Sequence, residues 1–378
     1  MLNSIFPTFR LGDEQMSEIK DARSTSSIAF RSSVRDDVWH NLTGPNAFET
    51  WHFDALSDDG SEALVITFHD NYPFSPRYFN KTRNGNGSSS SENRFPAISF
   101  VYSVEGKVEL RSVNEFSRDK FLASSARIEC SIGESSFRVD AAEYGSGYIV
   151  RVDLVTRGKR RIKAELEWLS VEADLLEAAP VNADESAEWN IAAPRSDVSG
   201  RINLIGRSGK TRKVVHFRGT GYHDHFRSSR TITRTADSRC WGRAHFVDST
   251  AIFQYISGEA PGEVTAHLFL VRDGTIHERT AHSQIQNFTR DRYGFKTPRR
   301  LTFVSDDNIR IRVKPLKLIQ AGFFEVRMLS EVTLMLRDGK PRKTTGITEF
   351  AAPARMRNPL FRWFSDLRTG RNGRSPLF

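Results

Sequence analysis

Apolar and polar residues alternate over short stretches through most of the chain. ALVITF (63–68), AISFVYSV (97–104), KVELRSV (107–113), ARIECSI (126–132), SFRVDAAEY (136–144), GYIVRVDLVT (147–156) and IKAELEWLSV (162–171) all carry a period of two. That period puts successive side chains on opposite faces of a strand. The same pattern returns in GRINLIG (200–206), KVVHFRGTGYHDH (213–225), WGRAHFV (241–247), STAIFQYIS (249–257) and TAHLFLVRDGT (265–275). It continues through RLTFVSDD (300–307), IRIRVKPLKLI (309–319), FFEVRMLSEVTLMLRDGK (323–340) and GITEFAA (346–352). The runs recur at short spacings with Gly, Asn, Asp or Ser between them, which predicts an antiparallel sandwich or barrel rather than βαβ units. RDG at Arg272 and at Arg337 is a hairpin-turn signal.

Four stretches interrupt the pattern. Residues 1–36 are polar and Ser-rich and read as a disordered N-terminal arm, with order beginning near Val38 and Trp39. NKTRNGNGSSSSENR (80–94) reads as a flexible surface loop, because it has little apolar area to bury. Residues 172–200 are acidic and Ala-rich and predict one short helix followed by a linker. The tail, 353–378, carries six arginines against one aspartate between 355 and 374. In it, Leu360, Phe361, Trp363, Phe364 and Leu367 form one face of a short helix. Such a basic end either packs on its own domain or makes peripheral contact with an anionic membrane surface.

Composition narrows the picture only a little. Of the 378 residues, 38% are hydrophobic and 27 are Phe, enough for large cores or an apolar pocket. The net charge of +9 favours acidic partners without specifying a fold. Cys130 and Cys240 form no CxxC pair and read as free thiols. No signal-peptide core or membrane-length apolar run stands out, so the expectation is a cytoplasmic protein, with membrane association through the tail as the alternative. TRGKRRIK (156–163) lacks the interleaved aromatics of a stacking platform, which argues against nucleic acid.

The densest chemistry lies in GTGYHDHF (219–226). On a strand, Tyr222 and Asp224 point one way and His223 and His225 the other. Two histidines at i and i+2 can share a metal, but no third ligand has a suitable spacing, so neither metal nor cofactor is expected. A histidine beside a carboxylate in an apolar pocket can instead supply an acid and a base. The bland reading is a polar network that holds two β-layers together.

At these residues a family resemblance emerges. ETWHFDALSDDGSEALVITF (49–68), EWNIAAPRSDVSGRI (188–202), GTGYHDHF (219–226) and CWGRAHF (240–246) occur in order. Together they resemble the carotenoid 1,2-hydratase (hydroxyneurosporene synthase) superfamily of lipocalin-like proteins, which includes fungal pericyclases such as decalin-forming Diels–Alderases. The resemblance implies an all-β fold of two lipocalin-like (calycin) antiparallel β-barrel domains, with a short helical linker and a C-terminal segment. Residues 37–230 would form the first domain and 231–352 the second. It also implies a pocket for an apolar polyene, isoprenoid or polyketide, between the barrels or inside them.

Under that resemblance Asp224 is the acid, tuned by His223 or His225, and Tyr222, Trp241 and Trp51 are cation-facing rings. Phe53 lines the pocket, and Asp54 pairs with Arg243 to brace it. Where the hydratases run Asn-Trp-Gly after the second His, this chain has Phe226, Arg227 and Ser228. An Arg227 at the pocket mouth suits a ligand bearing a carboxylate or a polar carbonyl. Tyr255 takes a ligand-facing place without the acidic neighbour that hydratases carry. Three readings follow: a hydro-lyase, isomerase or cyclase working by proton transfer; a pericyclase acting by shape; and a non-catalytic binder of apolar ligands.

Overall fold

A computed structural model describes residues 28–83, 94–142, 145–156, 158–172, 175, 186–258, 264–337 and 339–376. The strands of its first half are β1 (Ile28–Arg31), β2 (Phe48–Ser57), β3 (Glu62–His69), β4 (Ala97–Val104), β5 (Lys107–Glu115) and β6 (Phe121–Ala123). They continue with β7 (Glu129–Ile132), β8 (Ser135–Ala142), β9 (Gly145–Thr156), β10 (Arg160–Glu172), β11 (Ala187–Ile205) and β12 (Thr211–Ser228), and helix α1 (Pro76–Arg83) lies between β3 and β4. Helix α2 (Ile232–Thr235) leads into the second half. There β13 (Ser238–His245), β14 (Thr250–Ser257), β15 (Val264–Arg272), β16 (Thr275–Arg290), β17 (Lys296–Ser305), β18 (Arg310–Ala321), β19 (Glu325–Met335) and β20 (Arg342–Ala351) close into an eight-stranded antiparallel barrel. Helix α3 (Pro359–Arg368) and β21 (Gly370–Arg371) end the described chain.

The first sheet runs β21-β5-β4-β3-β2-β12-β11-β10-β9-β8-β7-β6, with β1 parallel to β11. It curls around its own core without closing a continuous ladder. The Asn114 amide and Ser112 hydroxyl of β5 instead reach the Val155 carbonyl of β9, at 3.0 and 3.3 Å. The chain is thus nearly all-β, with one closed barrel and one curled sheet beside it.

Several boundaries differ from the sequence expectations. Defined structure already includes Ile28, ten residues before Val38: Ile28–Arg31 pairs with β11 and Ser32 donates to the Ile191 carbonyl at 2.8 Å. Residues 1–27 lie outside the described residues. Residues 187–200, expected as linker, belong to the long strand β11, and the expected helix before them falls largely outside the described residues. Most of the loop at 80–94 does too, but residues 80–83 complete α1, and Arg94 is buried in an ion pair with Asp70. At the first RDG, Asp273 and Gly274 both have positive φ, 52° and 71°, and turn β15 into β16 as expected. The second RDG includes a residue outside those described.

Three apolar clusters explain the layering. One fills the curled sheet with Trp51, Phe53, Phe68, Phe137 and Trp168. Another fills the barrel with Phe253, Tyr255, Leu268 and Phe303, as suits a barrel of eight strands. The third lies between the two bodies and includes Phe48, Phe74, Trp189, Tyr222, Phe226, Trp241 and Phe269. β12 therefore has two covered faces along its second half: residues 221–226 are all buried, whereas 211–214 are exposed. Helix α3 stacks Phe361 and Phe364 on Phe323 at 5.7 and 5.8 Å, while Leu360 and Trp363 stay exposed. No helix among the described residues is long and apolar enough to cross a membrane.

The glycine before Tyr222 is required by this layering. A Cβ on Gly221 would sit 2.5 Å from both the Trp168 indole nitrogen and a Val198 methyl. Gly221→Ala should therefore destabilise the protein by roughly 1–3 kcal/mol through overpacking. Urea unfolding checks this, and an unchanged midpoint would contradict the packing described.

Candidate active site

β12 pairs antiparallel with β2, setting Asp224 opposite His52, His223 opposite Phe53 and His225 opposite Trp51. The strand period then divides the motif. Tyr222, Asp224 and Phe226 share one face with Phe48, Thr50 and His52, and this face turns toward the barrel. His223 and His225 share the other with Glu49, Trp51 and Phe53, and that face turns into the curled sheet.

On the inner face the histidines are held by carboxylates. His223 lies with Nε2 2.8 Å from Asp37 and Nδ1 2.9 Å from the His52 carbonyl, its ring stacked on Phe53 at 3.9 Å. His225 faces Asp37 through Nδ1 at 3.3 Å and Glu49 through Nε2 at 3.2 Å, stacked on Trp51 at 4.5 Å. Burial opposes charge on His225, but its hydrogen bonds to Asp37 and Glu49 outweigh it and raise its pKa from 6.5 to about 9. Burial likewise opposes charge on Asp37, and His223 and His225 overcome it, lowering its pKa from 3.8 to about 2. Glu49 is held below the usual carboxylate range against burial by His225 and His40. His40, Glu49 and His225 offer donor atoms within 4.8 Å of one another, a spacing a metal ion would accept. The protonated His225 ring, with each nitrogen facing a carboxylate, supplies the positive charge that those carboxylates need. This network supports the strand and lies on the face away from the cavity, and the nearby His223 acts on Asp224 only as a minor influence that lowers its pKa.

The His225 charge gives a pH signature. Its folded pKa is raised, so its contribution to stability is complete below pH 6.5 and is lost as pH rises through about 9. Urea unfolding across that window should show wild-type stability falling. His225→Gln should be less stable at the acid end and fall less steeply than wild type across the window, because Gln carries no proton to lose while Asp70, raised to about 7, still ionises within it. A flat wild-type curve would contradict the assignment.

On the outer face a cavity of about 60 Å³ lies between sheet and barrel. Asp224, Trp241, Phe48, Phe74 and Phe226 line it, together with His52, His69, Arg239, Glu325, Arg327 and Glu349. Asp224 is only 5% exposed. Burial raises its pKa above the usual 3.8, with His52, Trp189 and Tyr222 pulling weakly the other way. The buried Tyr222 hydroxyl sits beside it without a well-formed hydrogen bond. Trp241 packs edge-on against His52 at 5.0 Å and lies 5.6 Å from Tyr222. His69 hydrogen-bonds Thr50 at 3.0 Å and is kept neutral: burial, then Arg327 and His52, lower its pKa to about 3. Arg327 bridges Glu349 at 2.7 Å and Glu325 at 3.2 Å.

Asp54 and Arg243 form the expected brace. The Arg243 Nε donates to Asp54 at 2.7 Å, both side chains are buried, and the pair joins β2 to β13. The other Asp54 oxygen lies 3.2 Å from His52. Burial would raise the Asp54 pKa, but Arg243 and His52 hold it down.

Four expected ligand contacts are displaced. Trp51 and Phe53 sit on the odd-numbered face of β2, inside the sheet's own core. Tyr255 belongs to the barrel filling, on the opposite face of its strand from the interface residues Ile252 and Ile256. Arg227 is on the odd face of β12 and is spent on Glu188 at 2.7 Å, away from the cavity lining. The cavity is also less oily than the sequence suggested, since β19 and β20 bring Glu325, Arg327 and Glu349 into it. His52 was legible in ETWHF once paired with Asp224. His69 and the barrel charges carry no local signal, because packing of distant strands places them there.

No protein-family model matches the chain. Hydroxyneurosporene dehydrogenase of Chlorobaculum tepidum is 22% identical over 353 residues, covering 89% of this chain and 91% of that one. Among solved structures, a candidate AttH of Nitrosomonas europaea superposes with a TM-score of 0.58 at 17% identity, covering 84% of this chain and 95% of that one. CghA, solved with Sch210972, superposes with a TM-score of 0.55 at 15% identity, covering 82% of this chain and 89% of that one. The chain is thus similar over nearly its whole length to hydroxyneurosporene dehydrogenase, shares its fold with the two solved structures, and resembles the carotenoid hydratase and Diels–Alderase-like lipocalin superfamily.

Proposed function

We propose that the protein is a proton-transfer enzyme, and that Asp224 protonates a carbon–carbon double bond at the end of an apolar small molecule. The observation that carries this is a buried carboxyl biased toward its neutral form and aimed into an aromatic-lined cavity. A neutral carboxyl is a proton donor, and the aromatic rings of Trp241 and Phe48 on the lining can stabilise the cation that forms. Water then adds to the cation. The resulting oxonium is so acidic that even His69, a weak base at a pKa of about 3, can take its proton. That proton restores the Asp224 acid, leaving net hydration; loss of a carbon-bound proton instead leaves net isomerisation. A cavity of about 60 Å³ holds only the reacting end of a ligand, since whole-ligand pockets span roughly 300–1,000 Å³.

A second reading uses the same carboxyl without transfer. Neutral Asp224 can hydrogen-bond a ligand carbonyl while the rings fold the chain into a reactive conformer. It is favoured by the likeness to CghA, which was solved with the small molecule Sch210972 bound.

The test begins with solvent extraction of the purified protein and mass spectrometry of whatever apolar molecule is released. That molecule, or an isoprenoid with a terminal double bond, is then incubated with the protein in D₂O. The first reading expects one deuterium at the protonated carbon. Turnover without deuterium would favour the second reading, and neither would leave binding alone.

A further inference from the structure

A second cavity, of about 340 Å³, adjoins the first: Tyr72, Phe74 and Glu325 line both. Arg111 of β5, Arg368 of α3, Phe323 and Phe324 also line it. The arginines are half-buried, and among the described residues neither has a carboxylate within ion-pairing distance. Arg111 donates to the Ala321 carbonyl at 2.6 Å, and Arg368 to the Tyr293 hydroxyl at 3.2 Å. Each guanidinium has five N–H groups, so most of its donors remain available. The Arg368 guanidinium also lies 5.8 Å over the Phe323 ring, which fixes its place on the wall. The one carboxylate on the lining, Glu325, is answered at the junction by Arg327 and by the Gln320 amide at 2.9 Å. The two arginines repel each other, and burial with Arg368 nearby holds Arg111 below the usual guanidinium range, with Glu325 pulling weakly the other way.

Two guanidiniums without a carboxylate at ion-pairing distance, aromatic walls beside them, and a proton donor in the adjoining cavity describe a receptor for a molecule with matching ends. We propose that the second cavity seats the oxyanion end, carboxylate or phosphate, of an elongated amphiphile whose unsaturated end reaches Asp224. This rests on the proton-transfer reading above and adds the substrate class to it. The planar fork of Arg suits either oxyanion, and both arginines act as binding residues.

The test is fluorescence titration with cis-parinaric acid, a polyene carboxylate, against its methyl ester. The wild-type protein should bind the acid at least about tenfold more tightly than the ester, with the preference shrinking as salt is added. The Arg111→Gln/Arg368→Gln variant should lose that preference while ester binding stays unchanged. Displacement of the probe by geranylgeranoic acid or by geranylgeranyl monophosphate tells carboxylate from phosphate. Equal binding of acid and ester by the wild type overturns the subsite without reference to any variant. So does binding of neither, or equal loss of both in the double variant. Asp224→Asn should keep the acid preference. Preference without deuterium transfer would sink the catalytic reading alone, and deuterium transfer without preference would sink the subsite alone.

Discussion

Asp224→Asn should abolish proton transfer, lowering turnover by about 10²–10⁴-fold, while ligand affinity and fold survive. Asn matches the size of the acid but has no transferable proton. The same change should not harm stability at neutral pH. The folded pKa of Asp224 is raised, mainly by burial, so folding favours the protonated form and stability declines as pH rises above the ordinary aspartate range. Asn removes that decline. Rates with the extracted ligand, and urea unfolding from acid to neutral pH, check both halves. Full activity in the variant would leave only the hydrogen-bonding role; a collapsed fold would show that the carboxyl is structural.

Asp54→Leu should destabilise the protein by about 3–5 kcal/mol, because it strands the buried Arg243 guanidinium without its counter-charge. Arg243→Met should cost somewhat less, since Asp54 keeps His52 at 3.2 Å. The double replacement should recover most of the loss, as buried ion pairs exchanged for apolar groups of similar volume are often neutral. Urea unfolding of all four proteins closes the cycle, and additive losses would mean the two groups do not act as a pair. The pair also anchors His52, which faces Asp224 and packs against Trp241. Even the recovered double variant should therefore be catalytically impaired.

The division of GYHDHF into two faces was readable from the strand period alone, and so was the Asp54–Arg243 brace once the family resemblance placed both residues in motifs. The assignment of Trp51 and Phe53 to the pocket failed for a local reason. They alternate with Thr50, His52 and Asp54, and only the register with β12 decides which set faces Asp224. Arg227 failed because Glu188, adjacent to it in register on β11, captures its charge. Asp37 was read as the start of the ordered domain, yet it is the carboxylate between His223 and His225. Nothing in SSVRDDVWH announces that, since its partners lie far along the chain. Glu325, Arg327 and Glu349 were invisible for the same reason: barrel strands meet the sheet through packing, and packing leaves no sequence period.

The protonation state of one carboxyl tests the central claim most directly. Infrared difference spectra of wild type against Asp224→Asn, recorded with rising pH, isolate the carbonyl band of the protonated acid. The account predicts a band belonging to Asp224 that persists above the pH at which ordinary aspartates have ionised. Its disappearance near pH 3.8, the value of an unperturbed aspartate, would contradict it.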